Sequence, residues 1–286
     1  MSSKLVNAWI FLNEDEPSGT NYNSPDSSYQ RLIHNNVYHA VDILCLCFAT
    51  TVITGPRTVP TGDGTQWTLQ MGQADHPGGL TNQDYMDYII RDARAQNPNI
   101  KICMTLLWGN ADTLSQIFSN TTYSAAQNAT FFANNLVRYL AYYDLDGFDV
   151  DWESPISSGT SKQQFITLFT AIGIAFKNAS KKYYLTLSPA SVGNLDATTV
   201  NNNFDFVNLQ LYSGFTFPSS FEQAGINPNL FAYGAKFESN FQTAQEAVND
   251  NNTNYDYPVM INWRLNSDNF IFEQDQQVLL YQLFKG

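Results

Sequence analysis

Three acidic residues stand at alternate positions within one short stretch of the chain: Asp149, Asp151 and Glu153. Alternate side chains of a β-strand point to the same face, so a strand here would bring the three carboxyl groups together. Like charges a few ångströms apart raise one another's pKa, and we expect one of these groups to hold a proton near neutral pH. A protonated carboxyl group in a cleft is what general acid catalysis requires.

The residues between the acids indicate a strand rather than a solvated loop. Phe148, Val150 and Trp152 alternate with the carboxylates and would form an apolar face of their own. A divalent cation among the carboxylates is an alternative, but a metal site normally gathers its ligands from a turn or from several elements. The pattern therefore favours acid catalysis by one of these three carboxyl groups, of which Glu153 stands at the end of the strand.

Short β-rich segments alternate with longer helical segments along the whole chain, which is typical of parallel α/β folds. The predicted strands are Leu5–Phe11, Ile43–Ala49, Ile100–Leu107, Gly147–Trp152, Tyr184–Ser188, Phe206–Tyr212, Phe231–Ala235 and Val259–Arg264. The predicted helices are Thr81–Gln96, Ser124–Tyr143, Thr160–Lys181, Phe241–Asn249 and Phe270–Phe284. This order, which ends in a helix, predicts a (β/α)8 barrel that forms a single domain over residues 1–286.

Two connections near the N-terminus are long and irregular in composition. Asn13–Ser28 is rich in Ser, Asn, Asp and Pro, and Thr51–Gly79 holds many of the Gly and Pro residues. Loops of this length in a compact barrel are usually functional, and barrel active sites form on the loops that follow the strands. We therefore expect both connections to line a cleft, with plain surface decoration as the alternative.

The charge of the chain argues against a polyanionic partner. Asp and Glu total 26 against 14 Lys and Arg, which gives a formal net charge of −12. Nucleic acid would meet a repulsive field and too few cations to neutralise its phosphates, whereas an uncharged polysaccharide is compatible with this charge. Aromatic residues make up 14% of the chain, and flat rings suit the apolar faces of sugars, although most rings of a folded protein belong to its core.

Cysteine and histidine, the residues that most often bind zinc, are few and poorly spaced, and neither a metal nor a cofactor is predicted. The three cysteines, an odd count, lie in apolar strand-like segments and are predicted to be buried free thiols. The histidines lie at no spacing that suits zinc. No apolar stretch reaches the roughly 18 residues of a membrane span. No signal peptide precedes the first predicted strand, so the location stays open between a lack of classical export and a removed leader.

The acidic segment Asp146–Glu153 resembles the strand-four signature of family 18 of the glycoside hydrolases, which includes chitinases and endo-β-N-acetylglucosaminidases. Further resemblances follow in the same order along the chain: Phe48-Ala49 to the end of strand two, Asp205–Tyr212 to strand six and Val259–Trp263 to strand eight. The segment between Tyr212 and Val259 has room for one strand and one helix. The chain is therefore similar to the short members that lack an inserted α+β domain.

The resemblance implies substrate-assisted catalysis with retention of configuration. Glu153 would protonate the glycosidic oxygen while the substrate's own N-acetyl oxygen attacks the anomeric carbon. Water would then open the oxazolinium-type intermediate, with Glu153 as the base. Asp151 would hydrogen-bond the acetamido N–H, and Asp149 would share a proton with Asp151. Tyr212 would donate its hydroxyl to the acetamido carbonyl.

The resemblance also implies where the sugar binds. Gln210 would lie near the sugar that carries the reacting acetamido group, and Trp263 would stack beneath it. Phe48, at the end of strand two, is a further predicted contact. Trp108 stands where the family usually has glycine, and it is predicted either to stack on a sugar or to pack within the protein.

The predicted function is hydrolysis of β-1,4-linked N-acetylglucosamine polymers such as chitin, by a monomer. Two alternatives stay open. An endo-β-N-acetylglucosaminidase that acts on the core of N-glycans would use the same residues. A non-catalytic sugar-binding barrel usually lacks the acid, whereas this chain has Glu153, Asp151 and Tyr212.

Overall fold

The computed structural model describes residues 4–15, 17–54, 59, 67–107 and 114–286. The strands are β1 (Leu5–Phe11), β2 (Ile43–Ile53), β3 (Trp67–Met71), β4 (Asp75–His76), β5 (Leu80–Thr81), β6 (Lys101–Leu106), β7 (Gly147–Trp152), β8 (Tyr184–Pro189), β9 (Phe206–Leu209), β10 (Phe231–Lys236) and β11 (Val259–Trp263). The helices are α1 (Ser28–His34), α2 (Asn82–Gln96), α3 (Ala125–Tyr142), α4 (Ile156–Gly159), α5 (Lys162–Asn178), α6 (Ala197–Asn203), α7 (Pro218–Gln223), α8 (Ala244–Asp250) and α9 (Phe270–Lys285).

Parallel strands form a closed barrel. Around the barrel the order is β1, β2, β6, β7, β8, β9, β10 and β11, and β11 pairs back with β1. Each predicted strand corresponds to one of these eight, so the predicted (β/α)8 fold is confirmed. The register sets Asp149 of β7 beside Thr105 of β6 and Thr186 of β8.

Side-chain alternation divides the strand residues between two apolar clusters. Phe148, Val150 and Trp152 of β7 are fully buried in the larger cluster, which joins the barrel to its helices. The smaller cluster is formed by strand residues such as Trp9 and Cys45, and it fills the inside of the barrel. The acidic face of β7 is therefore turned inward, as the alternation predicts. Cys45, Cys47 and Cys103 are free and buried, which confirms that prediction.

Four helices begin at capping boxes that are visible in the sequence. At the start of α2, α3, α5 and α8 a Thr or Ser side chain accepts from the backbone N–H three residues on, and the side chain at that residue bonds back. Such boxes satisfy N–H groups that a helix leaves free at its start. Among the described residues, no helix has the length and apolar character needed to cross a membrane.

The second long connection is more regular than predicted. β2 continues to Ile53 instead of ending at Ala49, and β3 pairs with this extension in antiparallel fashion, from Trp67 opposite Ile53 to Met71 opposite Ala49. The prediction of an irregular Thr51–Gly79 is therefore wrong for its described part. A strand that projects beyond the barrel needs partners for its backbone N–H and C=O groups, and β3 supplies them.

The strand that leads to Tyr212 is shorter than predicted. β9 ends at Leu209, and a 3-10 turn over Leu211–Ser213 follows. Gly214 closes this turn in the left-handed region, with φ 74°, which favours glycine. Gln210 and Tyr212 therefore belong to the turn after the strand rather than to the strand itself.

Candidate active site

A cavity of about 350 Å³ opens at the carboxyl ends of the barrel strands. Its lining comes from all eight barrel strands or from residues shortly after them: Trp9, Phe11, Phe48, Thr105, Asp149, Asp151, Glu153, Ser188, Gln210, Tyr212, Glu238, Trp263 and Arg264. This end of the barrel is where enzymes with the fold carry out their chemistry. Every predicted catalytic residue lines the cavity, as do the predicted contacts Gln210, Trp263 and Phe48.

The carboxyl groups of β7 form a series from the barrel interior to the cavity mouth. Asp149 is completely buried, Asp151 is 7% exposed, and Glu153 is half-buried. Asp149 accepts hydrogen bonds from the hydroxyl groups of Thr186 (2.6 Å) and Ser188 (3.0 Å) on β8. Glu153 follows the end of β7 and is the member of this series that is most open to a ligand.

Burial raises the pKa of the two deeper carboxyl groups. For Asp149 the pKa rises even though the hydroxyl groups of Thr186 and Ser188 stabilise the charged form. For Asp151 burial raises the pKa well above its ordinary value, and the negative charges of Glu153 and Asp149 raise it further. The repulsion expected from the sequence is therefore present, but burial is the larger cause. These raised pKa values favour a proton on the inner carboxyl groups.

Gln210 connects the carboxyl groups to the neighbouring strand. Its amide nitrogen lies 2.8 Å from Glu153 Oε1, 3.2 Å from Asp151 Oδ1 and 3.1 Å from the backbone oxygen of Ser188. An amide nitrogen has two protons, so these three oxygens share them. Gln210 therefore orients Glu153 and Asp151, a role that the sequence did not predict for it.

Aromatic rings form one side of the cavity. Trp263 meets Trp9 edge to face at 5.7 Å between ring centroids, and Phe48 lies 6.3 Å from Trp263. Burial raises the pKa of Tyr212 well above its ordinary value, and the charges of Asp151 and Glu153 add to the rise. The Tyr212 hydroxyl therefore stays protonated and is available as a hydrogen-bond donor.

Other predicted contacts are absent from the described lining. Trp108 lies outside the described residues, so its prediction stays open. Within the described parts of Asn13–Ser28 and Thr51–Gly79, no residue lines this cavity, and the expectation that both connections line the cleft is wrong for those parts. The extended β2 and β3 pair with each other instead, and Glu14 reaches the site only through Arg264.

Arg264 and Glu238 also line the cavity, and neither is predicted from the sequence. Arg264 Nη1 lies 2.5 Å from Glu14 Oε2, and its Nη2 lies 3.0 Å from Glu238 Oε1. The three residues follow three different strands, so no local spacing connects them. The one local signal is that Arg264 comes directly after Trp263. Across the described chain, no group of three or more His, Cys, Asp or Glu side chains is arranged to hold a metal ion.

Known proteins share both sequence and fold with this chain. The family model described as "Glycosyl hydrolases family 18" matches residues 22–268. Chitinase A1 of Niallia circulans is 28% identical over 182 residues, which are 57% of this chain and 24% of that protein. The match therefore spans about a quarter of the length of Chitinase A1.

Solved structures are similar over almost the whole chain. A class V chitinase from Nicotiana tobaccum superposes with a TM-score of 0.64 and 14% identity, and the match covers 99% of each chain. Human YKL-39, described as a pseudo-chitinase with retained chitooligosaccharide binding properties, gives a TM-score of 0.64 at 12% identity over 99% of each chain. At these identities the likeness shows a common fold.

Proposed function

This chain belongs to family 18 of the glycosyl hydrolases, and we propose that it hydrolyses the β-1,4 linkages of chitin and of N-acetylglucosamine oligomers with retention of configuration. We also propose that residues 1–286 act as one catalytic domain and as a monomer. The observation that carries the proposal is the place of Glu153. It stands at the mouth of a cavity of about 350 Å³, held by Gln210 at 2.8 Å, above two carboxyl groups with raised pKa values.

In the proposed mechanism Glu153 acts first as an acid and then as a base. It gives its proton to the glycosidic oxygen as the bond from that oxygen to the anomeric carbon breaks. The N-acetyl carbonyl oxygen of the same sugar forms a bond to the anomeric carbon from the opposite face, which gives an oxazolinium ion. Glu153 then takes a proton from water, and the water oxygen opens the ring from the face that the leaving group left. Two inversions retain the configuration.

Asp151 stabilises the oxazolinium intermediate in this proposal. Its carboxylate would accept the acetamido N–H and stabilise the positive charge of the oxazolinium ion, an electrostatic effect that is often the largest in catalysis. The raised pKa values of Asp149 and Asp151 support a proton shared between the two. When that proton lies on Asp149, Asp151 is free to carry the negative charge, so the group titrates as a coupled set.

The remaining cavity residues bind the sugar in this proposal. Tyr212 keeps its proton, as its raised pKa supports, and donates it in a hydrogen bond to the acetamido carbonyl. Trp263 stacks against the apolar face of the sugar, and Phe48 extends the aromatic side of the cavity. Gln210 sets the orientation of Glu153 and Asp151 beside that sugar. Trp108 stays a predicted contact.

The substitution Glu153→Gln tests the acid. It keeps the shape of the side chain and removes the proton that the mechanism needs. Turnover of N-acetylglucosamine tetramer should fall by about 100-fold or more, while calorimetry should show that binding of the tetramer is retained. The matched control is Glu222→Gln, an exposed residue of α7, which should leave turnover unchanged. Turnover of Glu153→Gln close to that of wild type would assign the acid elsewhere.

The reaction products distinguish the proposed function from the two alternatives. The wild-type protein is incubated with chitin oligomers and with a high-mannose glycoprotein, and the products are measured by mass. Shortened chitin oligomers are the expected result. Release of the N-glycan without cleavage of chitin oligomers would make the protein an endo-β-N-acetylglucosaminidase. Binding of chitin oligomers without cleavage of either substrate would make it a sugar-binding barrel.

A further inference from the structure

Beside Trp263, charged side chains at the carboxyl ends of β1, β10 and β11 form a continuous set of ion pairs. Arg264 pairs with Glu14 after β1 at 2.5 Å and with Glu238 after β10 at 3.0 Å. Lys236, at the end of β10, pairs with the other oxygen of Glu238 at 3.2 Å. We call these four residues the Arg264 cluster. Arg264 and Glu238 line the cavity, and the mechanism above uses neither of them.

Arg264 has more N–H groups than its two carboxylate partners use. A guanidinium group carries five N–H donors in a planar fork, and the described contacts use one from Nη1 and one from Nη2. Nε is buried and has no hydrogen-bond partner among the described residues. The Arg264 side chain is only 13% exposed. Because Nε is enclosed while Arg264 lines the cavity, an acceptor in the cavity would meet the remaining N–H of Nη1 or Nη2.

The charges of the Arg264 cluster cancel, which indicates the class of ligand that it suits. Burial opposes ionisation of Glu238, but the positive charges of Arg264 and Lys236 lower its pKa, so it stays a carboxylate. With two cations and two anions the cluster has no net charge, so it favours neither an anionic nor a cationic ligand. Its residues offer N–H donors next to carboxylate acceptors, and a hydroxyl group can use both because it donates and accepts. Internal sugars of a β-1,4-linked N-acetylglucosamine chain carry free hydroxyls at positions 3 and 6.

Glu14 is held from both sides, which gives the Arg264 cluster a fixed position. Asn13 Oδ1 accepts from Asn82 Nδ2 at 2.5 Å, and Asp15 Oδ2 lies 2.6 Å from His76 Nδ1. Both anchors belong to the second connection or to α2, so neighbouring parts of the chain fix the segment that presents Glu14. A polar group that is positioned before the ligand arrives loses less entropy on binding.

We propose that Arg264, held by Glu14 and Glu238, contacts the substrate and donates a hydrogen bond to a 3- or 6-hydroxyl group of the sugar that stacks on Trp263. The inference rests on the proposed function, because it assumes an N-acetylglucosamine chain in this cavity. Trp263 contacts the apolar face of that sugar, and Arg264, the next residue, contacts its edge. This contact exists in the ground state and in the transition state alike, so its loss raises KM more than it lowers kcat.

The first test measures binding in the inert Glu153→Gln protein. Affinity for N-acetylglucosamine pentamer is determined by calorimetry with and without Arg264→Gln. We expect Arg264→Gln to weaken binding by about 10-fold or more, as for a hydrogen bond from a charged donor. Arg264→Lys keeps the charge that Glu14 and Glu238 need and loses the planar fork. It should fold as the wild type does and weaken binding less, and it serves as the test variant if Arg264→Gln is unstable.

The matched control is Arg94→Gln. Arg94 is also an arginine between two carboxylates, Asp144 and Asp146, and it is 25% exposed. Asp146 precedes β7, at the end of the barrel opposite the cavity. Arg94→Gln therefore removes a comparable ion-paired arginine and should leave the affinity for the pentamer unchanged.

The second test separates a direct contact from a structural effect. The same affinities are measured with pentamers that lack the 3-hydroxyl or the 6-hydroxyl groups. If Arg264 donates to one of these hydroxyls, Arg264→Gln should weaken binding of the pentamer that lacks this hydroxyl far less. The loss of affinity should be about 10-fold smaller than for the complete pentamer. The same fractional loss for all three pentamers would overturn the proposal.

The outcomes also separate this inference from the proposed function. If wild type cleaves the pentamer but Arg264→Gln and Arg264→Lys bind it as tightly as their parent protein does, the inference on Arg264 fails alone. If neither wild type nor Glu153→Gln binds or cleaves the pentamer, the proposed function fails, and the inference fails with it.

Discussion

Asp151 is a carboxyl group that is almost completely buried beside two others, and the proposed mechanism uses its negative charge. Asp151→Asn keeps the size of the side chain and removes that charge. Turnover of N-acetylglucosamine tetramer should fall by about 100-fold, as for the loss of a preorganised electrostatic contact. The matched control is Asp268→Asn, at an exposed position beyond β11, which should leave kcat unchanged. An unchanged kcat in Asp151→Asn would remove this residue from the mechanism.

The same residue makes stability depend on pH. Burial, with the charges of Glu153 and Asp149, raises the pKa of Asp151 in the folded protein well above its unfolded value. At pH values between the unfolded and the folded pKa, Asp151 therefore keeps a proton in the folded protein that it has lost in the unfolded chain. The stability from this group is fully present below the unfolded pKa, near 3.9, and is lost as pH rises through the folded pKa.

Asp151→Asn should therefore gain stability over wild type as pH rises. Each unit of pKa shift corresponds to about 1.4 kcal/mol, so the difference in melting temperature between variant and wild type should grow by at least about 2 °C from pH 4 to pH 8. Thermal unfolding at these two pH values measures it. A difference that is the same at both would mean that the charge on Asp151 is not costly in the folded protein.

At the scale of elements, the approach of β9 to β10 sets the position of Gln210. A Cβ atom added at Gly234 of β10 would lie 2.2 Å from the backbone oxygen of Leu209 and 3.4 Å from Gln210 Cα. Gly234→Ala must push these strands apart, which should cost roughly 1–3 kcal/mol of unfolding free energy. Because Gln210 orients Glu153, turnover of the folded variant should also fall.

Ala232→Gly is the control for this strand. Ala232 is fully buried two residues before Gly234 on β10, and its change to glycine costs about 0.5–1 kcal/mol without any overlap. Urea unfolding and kcat are measured for both variants at a temperature where both are folded. Reduced stability in both, with reduced kcat only in Gly234→Ala, is the expected pattern. Full turnover in folded Gly234→Ala would show that Gln210 tolerates the strand shift.

The elements differ in how far the sequence predicts them. The bounds of β7 are predicted correctly because its alternation of acidic and apolar residues is a local signal of a strand with two different faces. The end of β9 is missed because the apolar segment continues to Tyr212, while the chain turns after Leu209. The extension of β2 is missed because it depends on pairing with β3, and such pairing between distant segments leaves no local pattern.

The candidate site follows the same rule. Glu153, Asp151 and Asp149 are found from the sequence because they share one strand and a local spacing. Arg264 and its partners are missed because each lies after a different strand: pairing of β10 with β11 brings Glu238 to Arg264, and closure of the barrel between β11 and β1 brings Glu14. Residues that act through local spacing are visible in a sequence, whereas ion pairs across the barrel end become visible only in the fold.

For the whole molecule, closure of the barrel is what creates the cavity. Its lining draws on all eight barrel strands, from Trp9 on β1 to Trp263 on β11, and β1 pairs with both β2 and β11. The first and last strands therefore lie side by side and complete the aromatic side of the site, where Trp9 meets Trp263. Every part of the barrel must fold before the carboxylates and the aromatic rings face one space.

The net charge of −12 predicts how salt affects the capture of charged substrates. A negative protein attracts polycations over a distance that salt shortens, from a Debye length of about 30 Å at 0.01 M to about 3 Å at 1 M. Partially deacetylated chitosan oligomers carry positive charge, whereas fully acetylated oligomers are neutral. KM for the chitosan oligomers should therefore rise several-fold over this salt range, and KM for the acetylated oligomers should stay nearly constant. Equal salt dependence for both substrates would contradict a role of the protein's overall charge in substrate capture.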